Sequence, residues 1–434
     1  MNERRLEVID YILSFLIGKK KWGNIVTYSK EVSPKTPVTI IDSGFFDSNT
    51  YLTERSIPRL PLKEWHGIPL LFGMPTEELQ NGHLVIYADI IASTFFLITR
   101  YEELINLNNK DIYGRFSGED SLPGRAGFLE RPVVDEYGVQ LNQILSDYGI
   151  IRENVKKNMK EEGMVYLTHD VDIPWKKWSI KTAVRTMAGW VIRQHEFHIW
   201  PLRHLLGDYR YNPYDTFDWM LAKDAAVKQS LGHRCEDIYF VIGADRPDEY
   251  TESYILDNKF QGLLEQLKKN ASRIGLHISY DASDLDSMQT EKNYLETKVN
   301  QKIQYNRNHY LRSISLEEFR NLIKIGITDD FTMGYADRVG FRLGTSRCIN
   351  WIDPETMEIT PLKLHPLIIM EGTLVGYMKL GEDESYALIL KMWETVKKYC
   401  GDFTILFHNS SFKVGACDWM ESLYDKTLEL IING

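Results

Sequence analysis

Between Met164 and Phe407, short apolar runs alternate with longer amphipathic stretches, and most of the runs end in polar residues. Met164–Leu167, Ile238–Ile242, Ile274–His277 and Phe403–Phe407 have the length of strands. Phe217–Leu231, part of Tyr254–Asn270, Leu285–Lys302 and Leu316–Ile325 have the length of helices, with Asp215 or Thr216 placed to cap the first. Parallel strands need crossover connections, so this alternation predicts a parallel sheet, either open or closed into a barrel. Such folds put their chemistry at the C-terminal ends of strands, which is where the polar clusters fall.

The most informative cluster is Thr168-His169-Asp170-Val171-Asp172, directly after an apolar run. Two carboxylates one residue apart can serve one site in different roles, one binding a metal and the other accepting a proton from water. The plainer reading is a strand-end turn in which Asp170 or Asp172 caps the next helix. His277 closes another run, and His309 follows 32 residues later (309 − 277) in Arg307-Asn308-His309-Tyr310-Leu311. Imidazole is a common ligand of divalent metals, and an Asp/His/His set leaves positions open for water and substrate. Each histidine alone reads more simply as a hydrogen-bonded structural residue, and spacing does not bring them together. His408 ends the Phe403–Phe407 run and could protonate a leaving group, or bond to Asn409 and Ser410. Arg342, in Gly340-Phe341-Arg342-Leu343-Gly344, could orient a base, hold substrate, or form a surface ion pair.

Other patterns are weak or absent. His195 and His198 stand at i,i+3 but lack a carboxylate-rich partner helix. No Gly-x-Gly-x-x-Gly, Walker or Gly-x-Ser-x-Gly pattern occurs. Cys235, Cys348, Cys400 and Cys417 stand far apart, which excludes a zinc ribbon and fits a reducing compartment. A net charge of -10 disfavours general nucleic-acid binding. Arg4 and Arg5 precede an apolar stretch, Val8–Ile17, but Asp10 interrupts it and lysines follow; an amphipathic helix is predicted, not a signal peptide. Leu84–Ile98 contains Asp89 and falls short of a membrane span. A cytoplasmic protein is expected. The segment from Trp175 to His204 is basic and aromatic, with Trp175, Trp178, Trp190 and Trp200 among its residues. It reads as a lid, a substrate or membrane-surface contact, or a helical insertion packed on the sheet.

Ahead of this part, Ile25–Tyr28, Val38–Ile41, Leu70–Phe72 and Leu84–Ile91 predict strands, and Phe95–Leu107 a helix. Residues 108–140 predict a long ordered loop or a boundary region, and Asn142–Lys160 a further helix. The division expected is a smaller α/β domain over 1–150 and a second domain over 160–434.

In order, the motifs of the second part resemble the polysaccharide deacetylase superfamily with its NodB-type catalytic domain. The likeness is to a divergent branch whose first motif reads His-Asp-Val-Asp. The matching pieces are Leu167–Asp172, Gly275-Leu276-His277, Arg307–Leu311, Asp330–Tyr335, Gly340–Thr345 and Leu406-Phe407-His408. Residues 1–150 resemble the domain that accompanies this branch, notably at Asp89–Phe96 and Arg100-Tyr101-Glu102-Glu103. The usual adjacent aspartates are here separated by Val171, and no Arg-x-Pro-Tyr surrounds Arg342. The resemblance implies a distorted (β/α)7 barrel and a divalent metal, often zinc, held by Asp172, His277 and His309. It implies Asp170 as base, His408 as general acid, Arg342 near the base, and Asp330 and Tyr335 on the substrate. The implied reaction is removal of an acetyl group from a sugar of a surface polysaccharide or its precursor. Two other readings stay open: a non-catalytic carbohydrate-binding or scaffolding module, and a metal phosphoesterase. A basic pocket around Arg307, Arg312 and Arg342 would favour phosphate; an apolar, acetyl-sized pocket would favour deacetylation.

Overall fold

The computed structural model describes residues 3–18, 22–106, 109–151, 163–177, 179–193, 199–205, 212–412 and 417–434. The amphipathic N-terminal stretch forms the helix Glu3–Ile17, with Val8, Ile12, Leu13 and Leu16 on its buried face. It crosses the helix Val133–Asp147 at very short range. A Cβ added to Gly138 would stand 2.4 Å from the Leu16 carbonyl oxygen, so only glycine lets these backbones meet.

The first strands are β1 (Val26–Ser29), β2 (Val38–Ile41), β3 (Lys63–Trp65), β4 (Ile68–Leu70), β5 (Gly73–Gln80) and β6 (His83–Ala88). A four-stranded sheet runs β1-β2-β6-β5, with β5 antiparallel, and β3 pairs with β4 apart from it. The run Leu84–Ile91 is not one strand, because Asp89 ends it. Its carboxylate accepts from the Ala92 amide at 2.9 Å and caps the helix Ile90–Ile98, which is buried along its whole length. The helix expected over Phe95–Leu107 breaks at Arg100, which sits at φ 55°, and resumes as Tyr101–Ile105. The loop expected over 108–140 contains the start of the helix Val133–Asp147. The helix expected over Asn142–Lys160 therefore starts earlier, and its later residues, 152–160, lie outside those described.

The larger sheet holds β7 (Val165–Val171), β8 (Cys235–Ile242), β9 (Arg273–Ile278), β10 (Tyr305–Asn308), β11 (Asp329–Met333), β12 (Ile349–Asp353), β13 (Glu358–Pro366), β14 (Ile369–Met370) and β15 (Phe403–Leu406). Its order is β12-β13-β11-β10-β9-β8-β7-β15-β14, and every pair is parallel except β12–β13. The sheet curls until its two ends approach. Leu367 donates its amide to Met333 of β11, and the next residue, Ile368, donates to Thr404 of β15. Adjacent residues thus bond to strands near opposite ends of the order. The helix Phe217–Leu231 falls where expected with Thr216 at its N-cap position, but the Thr216 hydroxyl donates to Asn409 O at 2.8 Å and makes no capping bond.

The alternation of the pleat separates two environments. The residues of β7 that face the helices, Leu167 and Val171, join one apolar cluster that is continuous with the N-terminal helices. Inside the curl, Tyr166, Ile238, Phe240 and Phe331 form a cluster of their own. Below them His365 stacks on Phe331, with ring centroids 4.2 Å apart, and its Nε2 lies 2.8 Å from Asp329. Burial opposes protonation of His365, but hydrogen bonding to Asp329 and Cys348 pushes its pKa up to about 9.

Candidate metal centre

On β7 the inward positions are Tyr166, Thr168 and Asp170, and Asp172 continues the same parity just past the strand. Thr168 and Asp170 both meet Arg307, which reaches in from β10: its Nη1 donates to Thr168 Oγ1 and to Asp170 Oδ1, each at 2.9 Å. Arg307 Nε donates to Phe331 O at 3.0 Å, and the guanidinium lies 4.5 Å over the Phe240 ring. Gly275 makes that arrangement possible, since a Cβ there would stand 2.4 Å from the Phe240 ring.

β9 and β10 are hydrogen-bonded neighbours, with His277 opposite Arg307. This brings His309, two residues past Arg307, beside His277 despite the long sequence gap. The ligand-type atoms of Asp172, His277 and His309 lie within 4.8 Å of one another. His277 Nε2 is 3.2 Å from Asp172 Oδ1, and His309 Nε2 is 3.5 Å from Asp172 Oδ2. Ligands about 2.1 Å from a tetrahedral ion stand roughly 3.4 Å apart. The far side of each ring is already fixed: His277 Nδ1 lies 2.8 Å from Arg307 O, and His309 Nδ1 lies 3.0 Å from Thr251 Oγ1. Asp172 Oδ1 and His277 Nε2 are buried, face each other, and make no hydrogen bond. Buried polar atoms left in that state are destabilising unless something binds between them. The set fits a divalent ion on that ground.

His408 completes the group. Its Nε2 is 3.5 Å from Asp172 Oδ2, and its Nδ1 is 2.7 Å from Glu371 Oε1 at the end of β14. Burial opposes protonation of this imidazole, but the carboxylates of Glu371 and Asp172 push its pKa up to about 10. Burial alone would raise the Asp172 carboxyl; the imidazoles of His309 and His408 hold it well below the usual carboxylate range. Asp170 and Glu371 are thus buried carboxylates and Asp172 a partly exposed one, with the guanidinium of Arg307 bound to the first.

Three expected site residues lie elsewhere. Arg342 is not near Asp170. Its Nε and Nη2 donate to the two oxygens of Glu103 at 2.9 and 2.7 Å, and its Nη1 donates to Gly334 O. It ties the Arg100–Glu103 segment to the larger sheet, while Asp135 binds Thr345 and Arg347 nearby. Arg307 holds the place beside Asp170 that Arg342 was expected to take. Asp330 is fully buried and spends its oxygens on Asn306 and Thr332. Tyr335 is buried against Phe116 and Leu129. Neither Asp330 nor Tyr335 lines the cleft. His169 points outward to Asp224, and His195 and His198 lie outside the described residues.

Residues 9–149 match a family model described as a family of unknown function, DUF7033. No curated protein matches the chain in sequence. Among solved structures, the chain is similar to a candidate polysaccharide deacetylase from Mycobacterium smegmatis, with 10% identity and a TM-score of 0.39 over 63% of this chain and 84% of that one. It is also similar to a CE4 family pseudoenzyme from Bacillus anthracis, with 12% identity and a TM-score of 0.30 over 64% of this chain and 63% of that one. A mutant of that pseudoenzyme with restored enzymatic activity is similar at 11% identity and a TM-score of 0.29, over 63% of each chain.

A cleft of about 270 Å³ opens over the cluster. Asp170, Asp172, His309 and His408 form its floor; Ile173, Leu311 and Met370 supply apolar wall, and Tyr250, Tyr310 and Tyr377 a rim. Tyr310 and Leu311 both adopt left-handed backbone, at φ 63° and 54°. Such conformations cost about 1 kcal/mol or more per residue. They set Tyr310 among Tyr113, Tyr250 and Tyr280 and bury Leu311 against Leu367 and Leu406. Arg115 is the one Lys or Arg lining the cleft among the described residues, and it is bound to Asp111 and to the Tyr377 hydroxyl. Arg307, Arg312 and Arg342 form no basic pocket. A second cavity, about 290 Å³, lies by Arg100 and Arg320 and holds none of these histidines.

Sequence reasoning missed Arg307 as the partner of Asp170, Glu371 as the partner of His408, and the tyrosine rim. Two signals existed. Arg307 and His309 stand two residues apart, as Asp170 and Asp172 do, and Glu371 ends the apolar run Leu367–Met370 as the other site residues end theirs.

Proposed function

We propose that the chain is a metal-dependent hydrolase that removes an acetyl group from a sugar of a surface polysaccharide or its precursor. The observation that carries this reading is the convergence of Asp172, His277 and His309, with two orphaned buried atoms, beside a carboxylate–arginine pair and a carboxylate–histidine pair. Asp172, His277 and His309 would hold the ion, with zinc the first candidate. When bound, such an ion lowers the pKa of a water and polarises a carbonyl.

The chain's own groups supply the rest. Asp170 takes the proton from the attacking water at its Oδ2, while Arg307 fixes its Oδ1. His408, held at Nδ1 by Glu371, gives a proton from Nε2 to the leaving amine or hydroxyl. Leu311 and Met370 receive the acetyl methyl group, and the rim tyrosines stack on sugar rings. An apolar wall, with no free cationic pocket among the described residues, favours this over phosphoester hydrolysis. Within this reading β13 and β14 act as a single stave, which gives seven staves around the barrel, and residues 1–150 serve as an accessory domain.

The test is metal content followed by acetate release. Protein purified without chelator should carry about one divalent ion per chain, lost in Asp172→Ala and His277→Ala without unfolding. Acetate should be released from an N-acetylhexosamine oligosaccharide or an O-acetylated sugar, and Asp170→Asn should keep the ion while losing the activity. A protein that takes up no zinc, cobalt or nickel when these are supplied would overturn the proposal.

A further inference from the structure

Eight residues past Asp172 (180 − 172) the chain leaves the larger sheet in a helix, Ile180–Arg193, of 14 residues. Ile180, Val184 and Val191 fall at i, i+4 and i+11, one narrow stripe of that helix. They are 73%, 54% and 45% exposed, whereas Ala183 beside them is fully buried, so the stripe faces outward. Lys181 and Arg185 flank it and are exposed. Ile199 and Leu202 are also exposed, at 45% and 38%, as is Arg203. Residues 173–205 carry six Lys or Arg and one carboxylate, in a chain whose net charge is -10.

The excursion is rooted at the site. Its two feet are stapled where Asn212 accepts from the Lys176 amide and donates to its carbonyl, each at 3.0 Å. Asn409, adjacent to His408, donates to Ile173 O at 3.1 Å and to Tyr214 O at 2.7 Å. The helix therefore has a fixed base on the rim of the cleft.

We propose that this helix lies on an anionic phospholipid bilayer, its aliphatic stripe among the acyl chains and its cations at the headgroups. A bare branched-aliphatic stripe calls for an apolar partner, and the local positive charge calls for an anionic one. A bilayer with acidic lipids supplies both on one plane. The acidic remainder of the chain is repelled by the same plane, which leaves the basic helix as the part that touches it. A helix of this length does not span a bilayer, which takes about 20 residues. Among the described residues, no helix is long and apolar enough to cross a membrane. If the deacetylase reading holds, the substrate presented to the cleft is a lipid-linked glycan; that consequence rests on the reading, and the surface itself does not.

Flotation with vesicles of phosphatidylcholine alone, or with one third phosphatidylglycerol, tests the surface. Intact chain should bind the anionic vesicles about tenfold or more better than the neutral ones, and lose that preference at high salt. Ile180→Glu with Val184→Glu, and separately Lys181→Glu with Arg185→Glu, should each lower binding about tenfold or more at unchanged thermal stability, because these residues are exposed. Asp172→Ala should bind vesicles like the wild type, so failure of the metal reading shows separately. Equal binding to both vesicles, binding to neither, or unaffected variants would overturn the proposal. So would a concentration-dependent dimer, seen by light scattering and abolished by the same glutamates, which would assign the face to a second copy.

Discussion

His169 and His277 begin alike. Both are about 1% exposed, both place Nδ1 at 2.8 Å from a main-chain carbonyl, and both sit beside an aspartate. They differ at Nε2. His169, on the outer face of β7, has Nε2 3.0 Å from Asp224, whose oxygens also accept from Tyr239 and Tyr424. Every atom there is spent. His277, inside the curl, aims Nε2 at Asp172 with no hydrogen bond made. A buried histidine–carboxylate pair therefore says little by itself. Whether the second nitrogen is satisfied separates a structural pair from one built to receive something.

The contrast breaks most visibly through activity. On the inner face, Asp170→Asn or His408→Ala should lower acetate release by about 10²–10⁴-fold, with the ion still bound and the unfolding midpoint nearly unchanged. On the outer face the effects should reverse. Asp224→Ala strands His169, Tyr239 and Tyr424, and should cost about 3–5 kcal/mol in urea unfolding while leaving metal stoichiometry intact. Loss of the ion in Asp224→Ala protein that remains folded would erase the distinction.

A third pair, His365–Asp329, sharpens the comparison at the closed end of the curl. The folded-state pKa of His365, about 9, lies above its ordinary 6.5. Its contribution is therefore fully present below pH 6.5 and is lost as pH rises through 9. The shift corresponds to about 3 kcal/mol. Unfolding free energy should decline across that window, and His365→Gln should flatten the decline. The smallest effect belongs to the rim: Tyr310→Ala or Tyr377→Ala should raise KM roughly fivefold, about 1 kcal/mol, with kcat little changed. A fall in kcat alone would move these tyrosines out of the binding role.

Much of this was legible in the sequence because strand ends collect polar groups. Asp170, Asp172, His277 and His408 each stand at the end of an apolar run, and the parallel sheet followed from alternation. What escaped was pairing across the curl. The family resemblance put Arg342 near the base. The actual partner of Arg342, Glu103, lies 239 residues away. Arg307 was hidden because β10 is four residues long and reads Tyr-Asn-Arg-Asn, with no apolar run to announce it. With three of its four residues polar, the segment looks like a loop. The N-terminal errors have the opposite cause: at Asp89 and Arg100 a single polar residue divides a continuous apolar stretch into separate elements.

The seam at Leu367 and Ile368 has a kinetic consequence. Thr168 is bonded to Ile405, 237 residues later, so the curl of the sheet cannot complete until distant segments have found one another. Loops of that size close slowly, and until they do Tyr166, Phe240 and Phe331 stay open to solvent. Refolding should accordingly pass through an open sheet with a sticky concave face, and the yield of native chain should fall as protein concentration rises.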